Sequence, residues 1–185
     1  NGGFSDANLP EGDAAAVIKV AKHWVGVPYV WGGVTPKGWD CSGFTMGVYR
    51  TALGLVLPHY SGAQASKGRE VPLSEAKPGD LMVSASHVMI FLGKADGGKV
   101  YTIHSPKPGG KVNIGLRSAS YASQFKYYRM FNNTATTDYI PSASELAKGS
   151  GESLPTYQLN AFDNWAISNG YFTQTSSKAY PKESV

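Results

Sequence analysis

Apolar residues in the first part of the chain recur at the spacing of an α-helix. This pattern predicts an amphipathic helix over residues 13–26, a second helix that begins at Cys41 and a short polar helix over residues 61–67. Asp13 is a suitable N-cap for the first helix, and Gly26 ends it. Small residues make the second helix thin enough to pack closely against a flat surface: Ser42, Gly43 and Gly47.

The spacing changes to that of β-strands further along the chain. Short runs rich in Val, Ile, Tyr and Phe, separated by Gly and Pro turn signals, predict five strands: 80–84, 87–92, 100–104, 112–117 and 125–131. Helices followed by a meander of about five antiparallel strands are typical of an α+β fold. We therefore predict an α+β architecture in which N-terminal helices precede an antiparallel sheet of about five strands.

The composition shifts towards Ser, Thr and Asn after residue 131. We expect a leader over residues 1–12, a core domain over 13–131 and a C-terminal extension over 132–185 that packs on the core. Residues 1–131 carry 14 Lys/Arg and 8 Asp/Glu, a charge of +6, whereas residues 132–185 carry 3 and 5, a charge of −2. The alternative is a linker that only lies on the core, but the extension is rich in aromatic residues for a linker: Tyr139, Tyr157, Phe162, Trp165, Tyr171, Phe172 and Tyr180.

Composition excludes several classes of protein. A chain of 185 residues with 42% hydrophobic and 16% charged residues can bury a core, so it is not disordered as a whole. No apolar run reaches the roughly 18 residues of a membrane span. The net charge of +4 is spread without a dense basic cluster, so we expect no nucleic-acid partner. The single cysteine excludes a disulfide framework and a Cys-rich zinc site. We expect a monomer without metal or cofactor.

Cys41 lies where a Gly-rich loop passes into the second helix. The N–H groups and the positive end of the dipole at a helix start favour a thiolate, and the same N–H groups could bind an oxyanion. A thiolate nucleophile also needs a nearby imidazole, which we expect as an imidazolium, to protonate the leaving amine. The alternative is a small buried hydrophobic residue, which is the usual role of a lone cysteine.

Two of the histidines, His87 and His104, fall at the start of one predicted strand and at the end of the next. The Gly97-Gly98 turn makes these strands an antiparallel hairpin, so their side chains can be neighbours. One imidazole can then act as base while the other orients it. The alternative is that both are partly exposed sheet residues. His23, on the amphipathic first helix, is expected at the surface or its boundary.

Six segments of residues 13–131 closely resemble the NlpC-type cysteine peptidases of bacterial cell walls and occur in the same order along the chain. They are YVWGG at 29–33, WDCSG at 39–43, LPHYS at 57–61, PGDL at 78–81, HVMIFLG at 87–93 and IHSP at 103–106. The resemblance implies a compact papain-like fold, with the nucleophile helix packed on the antiparallel sheet. It assigns three catalytic roles: Cys41 as nucleophile, His87 as base and His104 as the third polar residue.

The resemblance also suggests residues that contact the substrate. Tyr29 matches a tyrosine near the oxyanion, and Asp40 and Ser42 match residues that contact the free amine or the glutamyl carboxylate of the substrate. The sequence departs from the family at Trp39, where many members have Phe, and the extension has no counterpart. Three further candidates near these segments are Trp31, His59 and Ser86, although Trp31 could instead pack the loop and His59 could be a turn residue.

The resemblance implies a peptidoglycan hydrolase, most specifically an endopeptidase that cuts the D-γ-glutamyl–diamino acid bond of stem peptides. Two alternatives keep the fold and change the bond: a muramoyl-L-alanine amidase and a cross-bridge endopeptidase. A third alternative is a non-catalytic wall-binding module. A fourth is an antibacterial toxin or phage lysin that catalyses the same reaction. The resemblance to cell-wall peptidases implies a secreted, wall-acting protein. The chain begins at Asn1 without a methionine, so we expect that any signal or upstream domains lie outside this chain.

Overall fold

The computed structural model describes residues 9–149 and 157–172. Residues 1–8 of the predicted leader and Tyr180 lie outside the described residues. The helices predicted at 13, 41 and 61 lie at the expected positions, although the first ends at His23 instead of Gly26. The α-helices of the described residues are α1 (Asp13–His23), α2 (Cys41–Leu53), α3 (Ser61–Ala65), α4 (Ala119–Ala122), α5 (Ala143–Gly149) and α6 (Ala161–Ser168). None of them is long and apolar enough to span a membrane.

The strands form a two-stranded hairpin and a larger sheet. The hairpin pairs β1 (Val34–Thr35) with β2 (Gly38–Trp39) just before α2. The sheet has six antiparallel strands in the order β3-β8-β4-β5-β6-β7, which confirms the predicted α+β architecture with one strand more than expected. Its members are β3 (Arg69–Val71), β4 (Leu81–Val83), β5 (Val88–Lys94), β6 (Val100–His104), β7 (Asn113–Arg117) and β8 (Lys126–Arg129).

The predicted meander holds for β4 to β7 and is wrong for β8. That strand returns across the sheet and pairs with β4. The pattern of apolar residues did not predict β3, which pairs with β8 at the sheet edge. Arg69 and Glu70 of β3 are exposed, so the alternation typical of a strand is missing. Charged residues on a short edge strand discourage pairing with other chains.

Strand β5 is buried on both faces and connects the two halves of the core. Because successive side chains of a strand point to opposite faces, Val88, Ile90 and Leu92 pack with the helices α1 and α2. Met89 and Phe91 pack on the other face, among residues from α4, β8 and the segment between them. This double burial explains why residues 88–92 are an unbroken apolar run.

The start of α2 lies directly against the preceding loop. Asp40 caps the helix, since its Oδ1 accepts a hydrogen bond from the Gly43 N–H at 2.6 Å. The Gly33 carbonyl oxygen accepts a hydrogen bond from the Asp40 N–H at 3.1 Å. A Cβ at Gly43 would overlap this Gly33 carbonyl. Only glycine at position 43 therefore lets α2 begin this close to the loop.

Residues after 131 contact α1 through a buried lysine. Lys22 donates a hydrogen bond from Nζ to the Tyr139 hydroxyl at 2.6 Å and forms an ion pair with Glu145 at 2.5 Å. The backbone N–H of Tyr139 donates to the Leu92 carbonyl at 3.0 Å. These contacts join the C-terminal region to both α1 and the central strand of the sheet.

His23 and Trp24 form a second contact with this region. His23 is buried, and its Nε2 lies 3.1 Å from Asp163 Oδ1. The Trp24 Nε1–H donates to the same oxygen at 2.8 Å, and the Tyr157 hydroxyl donates to Oδ2. The expectation that His23 lies at the surface is therefore wrong. The spacing of α1 predicted its apolar face correctly, but the residues that cover His23 are more than 130 positions further along the chain.

Gly43→Ala should destabilise the protein, because the added Cβ meets backbone that cannot move aside without shifting the loop before Cys41. We expect a loss of roughly 1–3 kcal/mol of unfolding free energy, the usual cost of overpacking. Gly62→Ala is the matched control: this helical glycine is exposed, and its nearest neighbour would lie at an ordinary 3.5 Å. Urea unfolding of both variants checks this, and equal stability of the two would contradict it.

Asp163→Asn should also lower stability, by about 1–3 kcal/mol, since it weakens three hydrogen bonds to a buried carboxylate. Burial acts to raise the pKa of Asp163, but the hydrogen bonds from His23, Tyr157 and Trp24 lower it overall. The stabilisation is therefore present above the ordinary pKa of an aspartate and is lost as the pH falls through the lowered value.

The difference in melting temperature between the parent and Asp163→Asn should consequently shrink as the buffer is made more acidic. Asp96→Asn, at an exposed position, is the control and should melt like the parent throughout. A difference that stays constant down to the acid-unfolding range would show that the charge of Asp163 plays no part.

Candidate active site

The three residues expected to be catalytic lie on elements that pack on one another. Cys41 is the first residue of α2 and is fully buried. Helix α2 packs against β5 and β6. His87 directly precedes β5 and His104 ends β6, and the pairing of Ile90 with Ile103 sets these two strand ends side by side.

The two histidines contact each other directly. His87 Nε2 lies 2.7 Å from His104 Nδ1, and both side chains are buried. The ring planes meet at 76° in an edge-to-face arrangement, with centroids 5.0 Å apart. His87 Nδ1 is buried without a hydrogen-bond partner among the described residues. The hairpin thus brings the pair together as expected, and it leaves one ring nitrogen of His87 available for chemistry.

The surroundings of this pair disfavour positive charge. Burial, and then the positive charge of Arg117, lower the pKa of His87 to about 4. Burial, His87 and Arg117 also hold the pKa of His104 well below its usual range. Both imidazoles are therefore neutral at pH 7 in this geometry, which differs from the imidazolium that the sequence led us to expect at His87.

Asp40 and His59 form a buried pair beside the nucleophile position. His59 Nε2 lies 2.9 Å from each carboxylate oxygen of Asp40, and both side chains are almost fully inaccessible. His59 was expected to be a cleft or turn residue, and the structure places it as the buried partner of the helix cap. Within residues 9–149 and 157–172, no group of three His, Cys, Asp or Glu residues is arranged to hold a metal ion.

Ser42 follows Cys41 and is fully buried. Its carbonyl oxygen accepts hydrogen bonds from Thr45 Oγ1 at 3.1 Å and from Gln64 Nε2 at 2.9 Å. Thr45 Oγ1 also lies 2.6 Å from Gln64 Oε1. Gln64, on α3, therefore holds the first turn of α2 in place, a role that its position in a short polar helix did not reveal.

The other expected substrate contacts are spread over two loops. Tyr29 is buried and bridges to Trp39, two residues before Cys41. Trp31 is 49% exposed on the same loop. Ser86 is half-buried, directly before His87, and its N–H donates to Ser84 Oγ at 3.4 Å. The structure brings Tyr29 close to the nucleophile helix, whereas the substrate roles of all three residues stay predictions.

Arg117 is a neighbour of the histidine pair that the sequence pattern did not single out. Its Nη2 lies 2.9 Å from His104 Nε2, and its Nε–H donates to Thr102 Oγ1 at 3.0 Å. A Cβ at Gly115 would come within 3.0 Å of Nη2, so glycine leaves room for the guanidinium. The sequence did contain one indication of this contact: Asn113, Gly115 and Arg117 are spaced two residues apart, which places them on one face of β7.

Two curated relatives are similar to the part of the chain that contains this site. Protein P54 of Enterococcus faecium is 42% identical over 108 residues, which are 56% of this chain and 20% of the relative. A gamma-D-glutamyl-L-lysine dipeptidyl-peptidase of Bacillus subtilis is 38% identical over 112 residues, 56% of this chain and 36% of the relative. The chain thus spans well under half the length of either relative.

A solved structure shares the fold. The crystal structure of the NlpC/p60 domain of the peptidoglycan hydrolase SagA is 37% identical with a TM-score of 0.53, and the alignment covers 63% of this chain and 98% of that domain. Residues 26–131 match the NlpC/P60 family, and this range contains Cys41, His87 and His104. Because the match extends over more than half of its residues, the chain belongs to the NlpC/P60 family.

Proposed function

We propose that this chain is the catalytic part of a peptidoglycan hydrolase, a cysteine endopeptidase that cuts stem peptides at the D-γ-glutamyl–diamino acid bond. The observation that carries the proposal is the buried His87–His104 pair, on strands that pack against the helix beginning with Cys41. Membership of the NlpC/P60 family supports it. The Bacillus subtilis relative, named for a γ-D-glutamyl-L-lysine substrate, supports the choice of bond.

In the proposed reaction Cys41 is the nucleophile. Its sulfur bonds to the carbonyl carbon of the scissile amide while the thiol proton passes to His87, and N–H groups in the first turn of α2 stabilise the oxyanion. The C–N bond then breaks and the leaving amine takes the proton from His87. Water, with His87 as base, hydrolyses the acyl-enzyme and restores the thiol. His104 holds His87 in position throughout.

The proposal includes the setting in which this reaction occurs. The substrate is a cell-wall polymer, so we infer that the enzyme acts at the wall as a secreted protein. The proposed mechanism uses side chains and backbone N–H groups of a single chain together with water, so one copy of the chain suffices and no cofactor takes part.

Cys41→Ala should abolish hydrolysis of purified muropeptides and leave the fold intact. His87→Ala should lower the rate by about 10²- to 10⁴-fold, the usual contribution of a general acid–base residue. His104→Ala should have a smaller effect, because water can partly replace an orienting group. Mass spectrometry of the digests, with circular dichroism for the fold and the exposed-site variant Asp96→Ala as control, checks the order. Equal, small losses in all three variants would reject these roles.

The masses of the fragments identify the bond. We expect disaccharide-containing products that end at D-glutamate, together with peptides that begin with the diamino acid. An amidase would release intact stem peptides, and a cross-bridge endopeptidase would leave each stem whole. If either of those patterns appears with the protein that retains Cys41 and not with Cys41→Ala, the proposed bond is wrong. The chain would still be a peptidoglycan hydrolase that uses Cys41.

A further inference from the structure

The hydrogen bonds between Arg117, His104 and His87 have only one possible direction. A guanidinium has N–H donors and no acceptor, so His104 Nε2, at 2.9 Å, must accept with its lone pair. The proton of neutral His104 is therefore on Nδ1, which donates to His87 Nε2 at 2.7 Å. Since His87 Nε2 is an acceptor, the proton of neutral His87 must be on Nδ1, the ring atom without a partner among the described residues.

We propose that Arg117 is a positioning residue that holds both imidazoles in this one neutral tautomer, so that His87 takes up a further proton only when Arg117 leaves His104. The inference rests on the proposed function, because the proton that His87 handles is the one exchanged with Cys41 and the leaving amine. It concerns a residue on β7 that contacts neither of those groups.

The proton count shows why Arg117 opposes this step. In this tautomer His87 Nδ1 already carries a proton and Nε2 accepts from His104, so neither ring nitrogen can take the proton of the Cys41 thiol. The thiol proton can enter at Nδ1 only once His87 holds its own proton on Nε2, where that proton faces His104 Nδ1. His104 must then move its own proton from Nδ1 to Nε2, where it meets the N–H of Arg117. Two donors face each other, so the contact between Arg117 and His104 breaks. When Arg117 returns, it favours loss of the added proton, which is the direction needed to protonate the leaving amine.

The position of Arg117 is well defined by the surrounding β-strands. Thr102 Oγ1 accepts from its Nε–H at 3.0 Å, and Asn113 Oδ1 accepts from Nη2 at 3.4 Å. Gly115 leaves room for the guanidinium, because a Cβ there would come within 3.0 Å of Nη2. These three residues direct the guanidinium to His104 rather than to solvent.

Titratable groups on several elements surround His87 in the described part of the chain. His104 on β6 faces His87, Arg117 on β7 lies beyond it, and Tyr121 on α4 interacts with Arg117. Cys41 lies at the start of the helix packed on β5. Burial and Arg117 lower the pKa of His87 to about 4, which agrees with the direction of the hydrogen bonds.

Nuclear magnetic resonance of nitrogen-15 histidine in the full chain tests the inference without any need for activity. The Cys41→Ala protein is used so that the thiol does not titrate with the imidazoles. We expect both neutral His87 and neutral His104 to carry their proton on Nδ1. A proton on Nε2 of either ring would overturn the proposal, even if no variant at position 117 folds.

Titration of three Cys41→Ala proteins, with Arg, Lys or Met at position 117, tests the role of the charge. In Arg117→Met we expect the pKa of His87 to rise by about one pH unit or more and the Nε2–H tautomer to appear, since a nearby like charge is removed. Arg117→Lys keeps the charge and should titrate close to the parent. If His87 titrates at the same pH with Arg and with Met at position 117, the proposal is wrong. Failure of the proposed function would appear separately, as muropeptides left intact by the protein that retains Cys41.

Discussion

The position of Cys41 depends on the contacts of one carboxylate, that of Asp40. It is buried, it caps α2 through the Gly43 N–H, and it binds His59 through both oxygens. A buried carboxylate without partners would cost several kcal/mol, so His59 and the helix start must be in place together. The same residue donates its own N–H to the Gly33 carbonyl. Asp40 therefore fixes the helix, the loop and the distance between them.

The residue before it, Trp39, extends this arrangement to the C-terminal region. Trp39 is fully buried, and its ring lies 4.9 Å from that of Trp24 and 5.4 Å from that of Phe172. Gly47 makes room for it, since a Cβ there would come within 2.6 Å of the indole. The Trp39 indole thus contacts Phe172, from a region after residue 131 that the family match does not include. The C-terminal region completes the core beneath the nucleophile loop.

The elements that local pattern determines were predictable, and contacts distant in sequence were not. The helices at Asp13 and Cys41 and the hairpin that joins His87 to His104 follow from spacing and turn residues. Strand β3 and the return of β8 to β4 depend on pairing between distant segments, which periodicity does not encode. Burial of His23 beneath Asp163, and the contact of Arg117 with His104, depend on tertiary packing in the same way. The sequence named a candidate nucleophile and base, whose roles stay predictions, whereas it did not predict the neutral state of His87.

That charge state depends on which residue stands between Arg117 and His87. A carboxylate at position 104 would pair with Arg117, cancel much of its charge and stabilise an imidazolium at His87. His104 does the opposite: it is neutral, it accepts from Arg117 on one ring nitrogen, and it donates to His87 from the other. Because neutral His104 does not cancel the positive charge of Arg117, that charge still lowers the pKa of His87. His104 therefore hydrogen-bonds His87 on one side and a cation on the edge strand on the other, and it donates to His87, which a residue with only acceptor atoms cannot do.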